Sequence, residues 1–346
     1  MALILPVLRV LCLAALVAAV VSCEERAAPT APPASAGADG TSPAAATATP
    51  TASPAPAAAK PLVLLFQRQK DPEQTRQNAE EAARYLSQAL GRPVQTVVPG
   101  DYGASVQALV SEQADAAYLS ALPFLLARRD GGARLLLAEV RPDLTGARRT
   151  TSDSVWVARA DGPVASMDDV VARARDLRVC FTSRTSTSGY VMATLSLVRA
   201  GLLRPGQDPR EAFQSVAFGG GYTQALQEVL AGRADLAAVS HYTVEGPTAD
   251  VYTTPAERER LRVIARTPDV PTHLVAVRRG LSPEVAEQLA PALLRLSSER
   301  PDLLANVYGA SELRRVDEAE HVRPTVEAVE AVGLPIENLT SQSPAR

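Results

Sequence analysis

Lysine is almost missing from this chain: of 35 basic side chains in 346 residues, only Lys60 and Lys70 are lysines. Arginine carries the rest against 38 acidic residues, and the formal net charge of −3 gives no electrostatic case for nucleic acid or an anionic membrane surface as a partner. Cysteine is scarce too, and Cys12, Cys23 and Cys180 are too few for a disulfide framework. With three histidines, no HExxH, no CxxC and no acidic cluster at ligand spacing, the sequence offers no metal centre and implies no cofactor. A G-x-S-x-G elbow is also missing, which argues against a serine hydrolase. What remains is a chain 46% apolar and 21% charged, long enough for one large domain or two smaller ones.

Long apolar runs are confined to the N-terminus. Met1 to Val21 holds one charged side chain, Arg9, and the run "VLCLAALVAAVV" is short for a spanning helix and leads into Ser22-Cys23. This pattern resembles the bacterial lipoprotein signal, in which residues 1–22 are removed and Cys23 becomes the lipid attachment site. The implied location is the extracytoplasmic face of a membrane. Residues 23–60, rich in Pro, Ala and Thr and poor in large apolar side chains, read as a disordered tether. Cys180 then stands alone in an apolar strand, as a buried inert thiol.

The folded body starts at Pro61. "PLVLLF" has strand character, and the helix that follows is bracketed by Asp71 as N-cap, Pro72 at the first turn and Gly91 as its stop, with Ala79, Ala82, Ala83, Leu86 and Leu90 as its buried stripe. "VQTVV", a helix from about Ser105 and "DAAYLS" continue the alternation, which predicts α/β layers on a mostly parallel sheet. Shifted by 120 residues, Gly100 to Ser120 lies over Gly220 to Ser240 without a gap, and seven of 21 pairs are identical. Two lobes on one plan follow, each with a tyrosine at a helix start, Tyr102 and Tyr222, and a serine past a strand end, Ser120 and Ser240. Open α/β sheets bind ligands at those carboxyl ends.

The stretch "CFTSRTSTSGYVMA" places six hydroxyl side chains in seven positions, from Thr182 to Ser188, at the start of a helix whose buried face is Val191, Leu195 and Val198. Unpaired N–H groups and a partial positive charge at a helix start favour an anion, the hydroxyls of Ser186, Thr187 and Ser188 add donors, and Gly189 lets backbone approach. Three hydroxyls on one helix start suit oxyanion binding better than activation of one nucleophile.

These segments, from "DPEQTRQNAEEAARYLSQALGRPV" through "ADAAYLS", "SMDDV", "LRVCFTSRTSTSGYVMA" and "EVLAGRADLAAVS" to "RVIARTPDVPTHLVAVRRGL", resemble the substrate-binding proteins of phosphate, phosphite and phosphonate ABC transporters. The resemblance implies a type II periplasmic-binding-protein fold. Two α/β lobes, residues 61–153 with 272–340 and residues 154–271, would be joined by crossovers near Ser152 to Ser154 and Pro271 to Thr272. It implies that Ser186, Thr187, Ser188 and Gly189 hold a small phosphorus oxyanion, that Tyr102 reaches it, and that an ABC permease receives it from a monomeric, lipid-anchored protein. Ser120, Tyr222 and His241 are further ligand candidates, and Arg68 and Arg184 stand where the family commonly has uncharged residues. Aminoalkylphosphonate binders of the family place carboxylates where this chain has Thr223, Ser240 and His241, so amine-bearing ligands are expected to be rejected; Glu245 is the next carboxylate downstream. Trp156, just past the first crossover, is expected to report closure. The alternatives are a ligand sensor built on the same module and, less in keeping with the motifs, a hydrolase.

Overall fold

The computed structural model describes residues 60–67, 72–310 and 312–335. The signal segment, Cys23, the tether up to Ala59, Arg68 and Asp71 lie outside these residues. Among the described residues no helix is long and apolar enough to cross a membrane.

In the first lobe, β1 (Leu62–Leu65), α1 (Pro72–Leu90), β2 (Val94–Val97), α2 (Tyr102–Val110), β3 (Ala116–Leu119), α3 (Ala121–Gly131), β4 (Arg134–Pro142) and β5 (Arg148–Arg149) follow in turn. Ala79, Ala82, Ala83 and Leu86 are buried against the sheet and Leu90 is half-buried, so the predicted stripe faces the core. A fully buried leucine such as Leu86 contributes roughly 1.5–3 kcal/mol. Helix α2 begins at Tyr102, a turn earlier than the pattern suggests, because the Asp101 carboxylate accepts from Ala104 N–H at 2.8 Å and caps it.

The second lobe comprises β6 (Thr151–Arg159), α4 (Met167–Arg173), β7 (Arg178–Phe181), α5 (Ala193–Arg199), β8 (Ser215–Phe218), α6 (Tyr222–Leu230), β9 (Leu236–Ser240), α7 (Pro255–Glu259) and β10 (Leu261–Pro271). The chain returns through β11 (Leu274–Val277), α8 (Pro283–Glu299), α9 (Pro301–Tyr308), β12 (Glu312–Arg314) and α10 (Glu318–Val332). Helices α8 and α9 bury their apolar faces in the first lobe's core. Helix α10 lies across the boundary, packed on α3 on one side and on β10 and α5 on the other.

The sheets share one strand order. The first runs β2-β1-β3-β11-β4 with β12 beyond β4 and β5 paired to β4, and the second runs β8-β7-β9-β6-β10. Neither is mostly parallel. In each, the first three strands are parallel, but the strand arriving from the other lobe, β11 or β6, inserts antiparallel and brings an antiparallel neighbour. An alternating β/α pattern does not reveal this, because the inserted strand comes from outside the local repeat. Asp115 and Asp235, identical in the repeat, do the same work: each accepts from a backbone N–H near the start of the neighbouring strand, Val63 at 2.9 Å and Arg178 at 2.8 Å.

Candidate ligand-binding cleft

Four helix starts meet where the carboxyl ends of the two sheets face each other. After β7 the chain turns at Ser186, whose Oγ accepts from Gly189 N–H at 3.0 Å, and a π-helical stretch over Thr187–Met192 leads into α5. The wider winding replaces the plain α-helical start expected there, and Gly189 makes room for it. A Cβ at Gly189 would collide with the Thr182 side chain and approach Ala238 O to 2.9 Å. Thr187 Oγ1 accepts from Leu122 N–H of α3 at 2.8 Å, a bond between lobes. Ser188 Oγ lies 2.7 Å from the Tyr222 hydroxyl at the start of α6. The rings of Tyr222 and Tyr102, the first residues of α6 and α2, meet edge to face at 6.4 Å. The two copies of the internal repeat thus touch through their matching tyrosines.

Between them lies a small cavity, about 10 Å³, room for the centre of one water-sized group, lined by Gln67, Tyr102, Tyr118, Tyr222, Thr223, Tyr252 and His273. Gln67 Nε2, Ser120 Oγ and His273 Nε2 are buried beside or near it without hydrogen-bond partners. Polar atoms are seldom left so, since an unmet buried donor costs roughly 1–3 kcal/mol. Ser120 stands at the N-cap of α3 yet makes no side-chain cap bond, which leaves its hydroxyl available. Burial raises the pKa of the Tyr102, Tyr222, Tyr242 and Tyr252 hydroxyls, keeping them protonated and able to donate. A larger concavity, about 790 Å³, opens behind the crossovers between Thr150, Leu195, Thr267 and Pro324. None of its lining residues carries a buried unpartnered polar atom, whereas two lining residues of the smaller one, Gln67 and His273, do.

A buried ion pair backs the cleft. On β4, Arg141 Nε donates to Glu139, its Nη1 donates to Gly309 O, and its guanidinium lies 3.8 Å from the centre of the Tyr242 ring. Burial alone would lower the Arg141 pKa, but Glu139 beside it prevails and keeps the guanidinium charged.

Of the residues singled out in the sequence, Ser186, Thr187, Ser188, Tyr102 and Tyr222 come together here, and Ser120 stands at the adjoining strand end. His241 does not line the cavity. Its Nδ1 accepts from Asp153 N–H at 3.0 Å at the first crossover, with Asp153 and Glu245 ion-paired to Arg266 nearby. Arg184 also points elsewhere, its guanidinium over the Phe218 ring at 4.8 Å. Pattern reading missed Gln67, Tyr118, Tyr252 and His273. Tyr118 carried a usable signal, since it lies two residues before Ser120 within the repeated strand.

The family described as ABC transporter, phosphonate, periplasmic substrate-binding protein matches residues 66–321. The chain belongs to this family. Membership places the folded body outside the cytoplasm, in a family of binding proteins rather than enzymes. The phosphate-import protein PhnD of Mycolicibacterium smegmatis is 24% identical over 208 residues, 60% of this chain and 62% of that protein. The chain thus spans about three fifths of that relative's length. Two solved structures share the fold. The binding-protein component of an ABC phosphonate transporter from Pseudomonas aeruginosa superposes with a TM-score of 0.68 at 19% identity, covering 82% of this chain and 90% of that one. PhnD1 from Prochlorococcus marinus, in complex with methylphosphonate, gives 0.66 at 17% identity, over 78% and 97%.

Proposed function

We propose that this protein captures phosphate, phosphite or a simple alkylphosphonate outside the cytoplasm and passes it to an ABC permease. In this reading Cys23 carries the lipid anchor and the tether lets a monomeric two-lobed body reorient between capture and delivery. The observation that carries the proposal is the set of buried donors without partners, Gln67 Nε2, Ser120 Oγ and His273 Nε2, beside four converging helix starts. A tetrahedral oxyanion has the acceptors these groups need. Entry requires the lobes to part and the Ser188–Tyr222 contact to yield to the ligand; closure then buries the anion between them.

Selectivity follows from the same lining. Among the described residues it contains no carboxylate, Thr223 occupies the position from which one would receive an ammonium, and Glu245 is held by Arg266 at 2.6 Å. A buried ammonium would lose its water without gaining a partner. Isothermal titration with phosphate, phosphite, methylphosphonate and 2-aminoethylphosphonate tests this. At least one of the first three is expected to bind at least about tenfold more tightly than the amine, or about 1.4 kcal/mol. Ser188→Ala is expected to weaken that binding by about 1–3 kcal/mol. Tightest binding of the amine, or no binding of the other three, would overturn the proposal.

A further inference from the structure

His273 is not among the ligand candidates read from the sequence and follows directly on the return crossover. It is 5% exposed, its ring stacks on Tyr118 at 4.9 Å and 20°, and it lines the cavity. Its Nδ1 lies 3.2 Å from the Tyr242 hydroxyl, while Nε2 has no partner. Two tautomers satisfy a tyrosine–histidine pair, and acid–base strength selects between them. The Tyr242 hydroxyl reaches both the Tyr222 oxygen and Nδ1; the imidazole nitrogen is the stronger base, so the Tyr242 O–H donates to Nδ1 and Nε2 keeps its proton. The ring is faced by Tyr118 from β3, Tyr222 from α6, Tyr242 from the turn after β9, and the Arg141–Glu139 pair on β4. Burial and the Arg141 charge depress the imidazole pKa to about 3, in keeping with a neutral ring.

We propose that His273 is a specificity-determining donor whose Nε2–H hydrogen-bonds an unprotonated oxygen of the bound oxyanion, with Tyr242 as the positioning residue that fixes its tautomer. The proposal rests on the oxyanion reading above and goes beyond it in one respect. Serine, threonine and tyrosine hydroxyls both donate and accept, and so tolerate a P–OH or a P–O⁻ group. An imidazole N–H only donates, so this position favours an unprotonated oxygen, the strongest acceptor, over a protonated or esterified one, whose proton it cannot accept. The stacked Tyr118 ring holds the imidazole plane, and the Arg141–Tyr242 stack holds the phenol that sets the tautomer.

Two measurements test this. Nitrogen-resolved NMR of the imidazoles in the ligand-free protein is expected to show His273 neutral with its proton on Nε2, and that signal is expected to shift on addition of inorganic phosphate or methylphosphonate. Calorimetric titration with the same two probes is expected to show His273→Phe weakened by about ten- to a hundredfold, His273→Gln, which keeps an N–H donor, weakened less, and Tyr242→Phe weakened by up to about tenfold as the tautomer is released. A proton found on Nδ1, or His273→Phe binding both probes within twofold of wild type, would overturn the inference while leaving the oxyanion reading intact. Failure of the wild-type protein to bind either probe or phosphite would overturn both, even with the predicted tautomer present.

Discussion

Matching places in the two sheets, the turns after β7 and β1, lead into helix starts of different chemistry. After β7 the chain offers six hydroxyls from Thr182 to Ser188 and then buried helix-start N–H groups. After β1 the corresponding helix opens with Pro72 and the exposed Glu73, so its first turn is already supplied with a carboxylate. An anion is favoured at one helix start, whereas at the other the first turn already holds the Glu73 carboxylate, paired with Arg76 at 2.6 Å. One strand order therefore yields two roles. The second lobe supplies the hydroxyl turn, and the first lobe meets it with the unpartnered Gln67 Nε2, Ser120 Oγ and His273 Nε2 and with α3, whose Leu122 N–H reaches Thr187 Oγ1. Where function does not need asymmetry the lobes stay alike, as in Asp115 and Asp235 anchoring neighbouring strand backbones and in Tyr102 and Tyr222 meeting ring to ring.

The hydroxyl turn breaks most severely at Gly189. Gly189→Ala puts a methyl group into the Thr182 side chain and within 2.9 Å of Ala238 O, and is expected to cost about 3 kcal/mol of stability, read from chemical denaturation. A cost under about 1 kcal/mol would mean that the turn relaxes freely.

Acid sharpens the comparison through the histidines. Unfolded, each titrates near 6.5, whereas burial lowers the folded pKa of His273, His241 and His321. Below pH 6.5 the unfolded chain binds protons that the folded chain refuses, so stability is full above that pH and falls as pH drops, for His273 until its folded value of about 3. At pH 5 His273 alone accounts for a loss of about 2 kcal/mol. His241 of the second lobe has Asp153 and Glu245 beside it, which oppose the effect of burial. Denaturation at pH 7.5 and pH 5 is expected to show a larger loss of pH dependence in His273→Phe than in His241→Phe; equal slopes in both variants would contradict the assignment.

The smallest effect tests the likeness of the lobes. Asp115→Ala removes bonds to Val63 N–H and Arg278, and Asp235→Ala removes bonds to Arg178 backbone and side chain. With Arg178 well exposed, both substitutions are expected to cost about 1–2 kcal/mol and to agree within about 0.5 kcal/mol in thermal or urea unfolding.

What could be read from sequence was local. The α1 stripe, the repeat and the hydroxyl turn each declare themselves within about 20 residues, and all appear where expected. Gln67, Tyr118, Tyr252 and His273 come from four separate segments; pairing of β1, β3 and β11 makes neighbours of three of them, and the lobe contact adds Tyr252. His241 shows the converse. Strand-end logic favours it, but pairing of β6 with β9, Ser154 opposite Ser240, brings the Asp153 amide to its ring. The antiparallel insertion of β11 and β6 was hidden for the same reason, since each arrives from the other lobe.

Val191, Met192 and Leu195, although they belong to the second lobe's helix, are buried in one apolar cluster with Val270, Val322, Ala328 and the core of α3. Parting the lobes pulls at this seam and wets part of it. A ligand with almost no carbon of its own would then bind with a negative change in heat capacity, a signature that apolar burial produces and that the anion itself cannot supply. Affinity for a wholly polar solute would thereby take its temperature dependence from three hydrophobic side chains that never touch it.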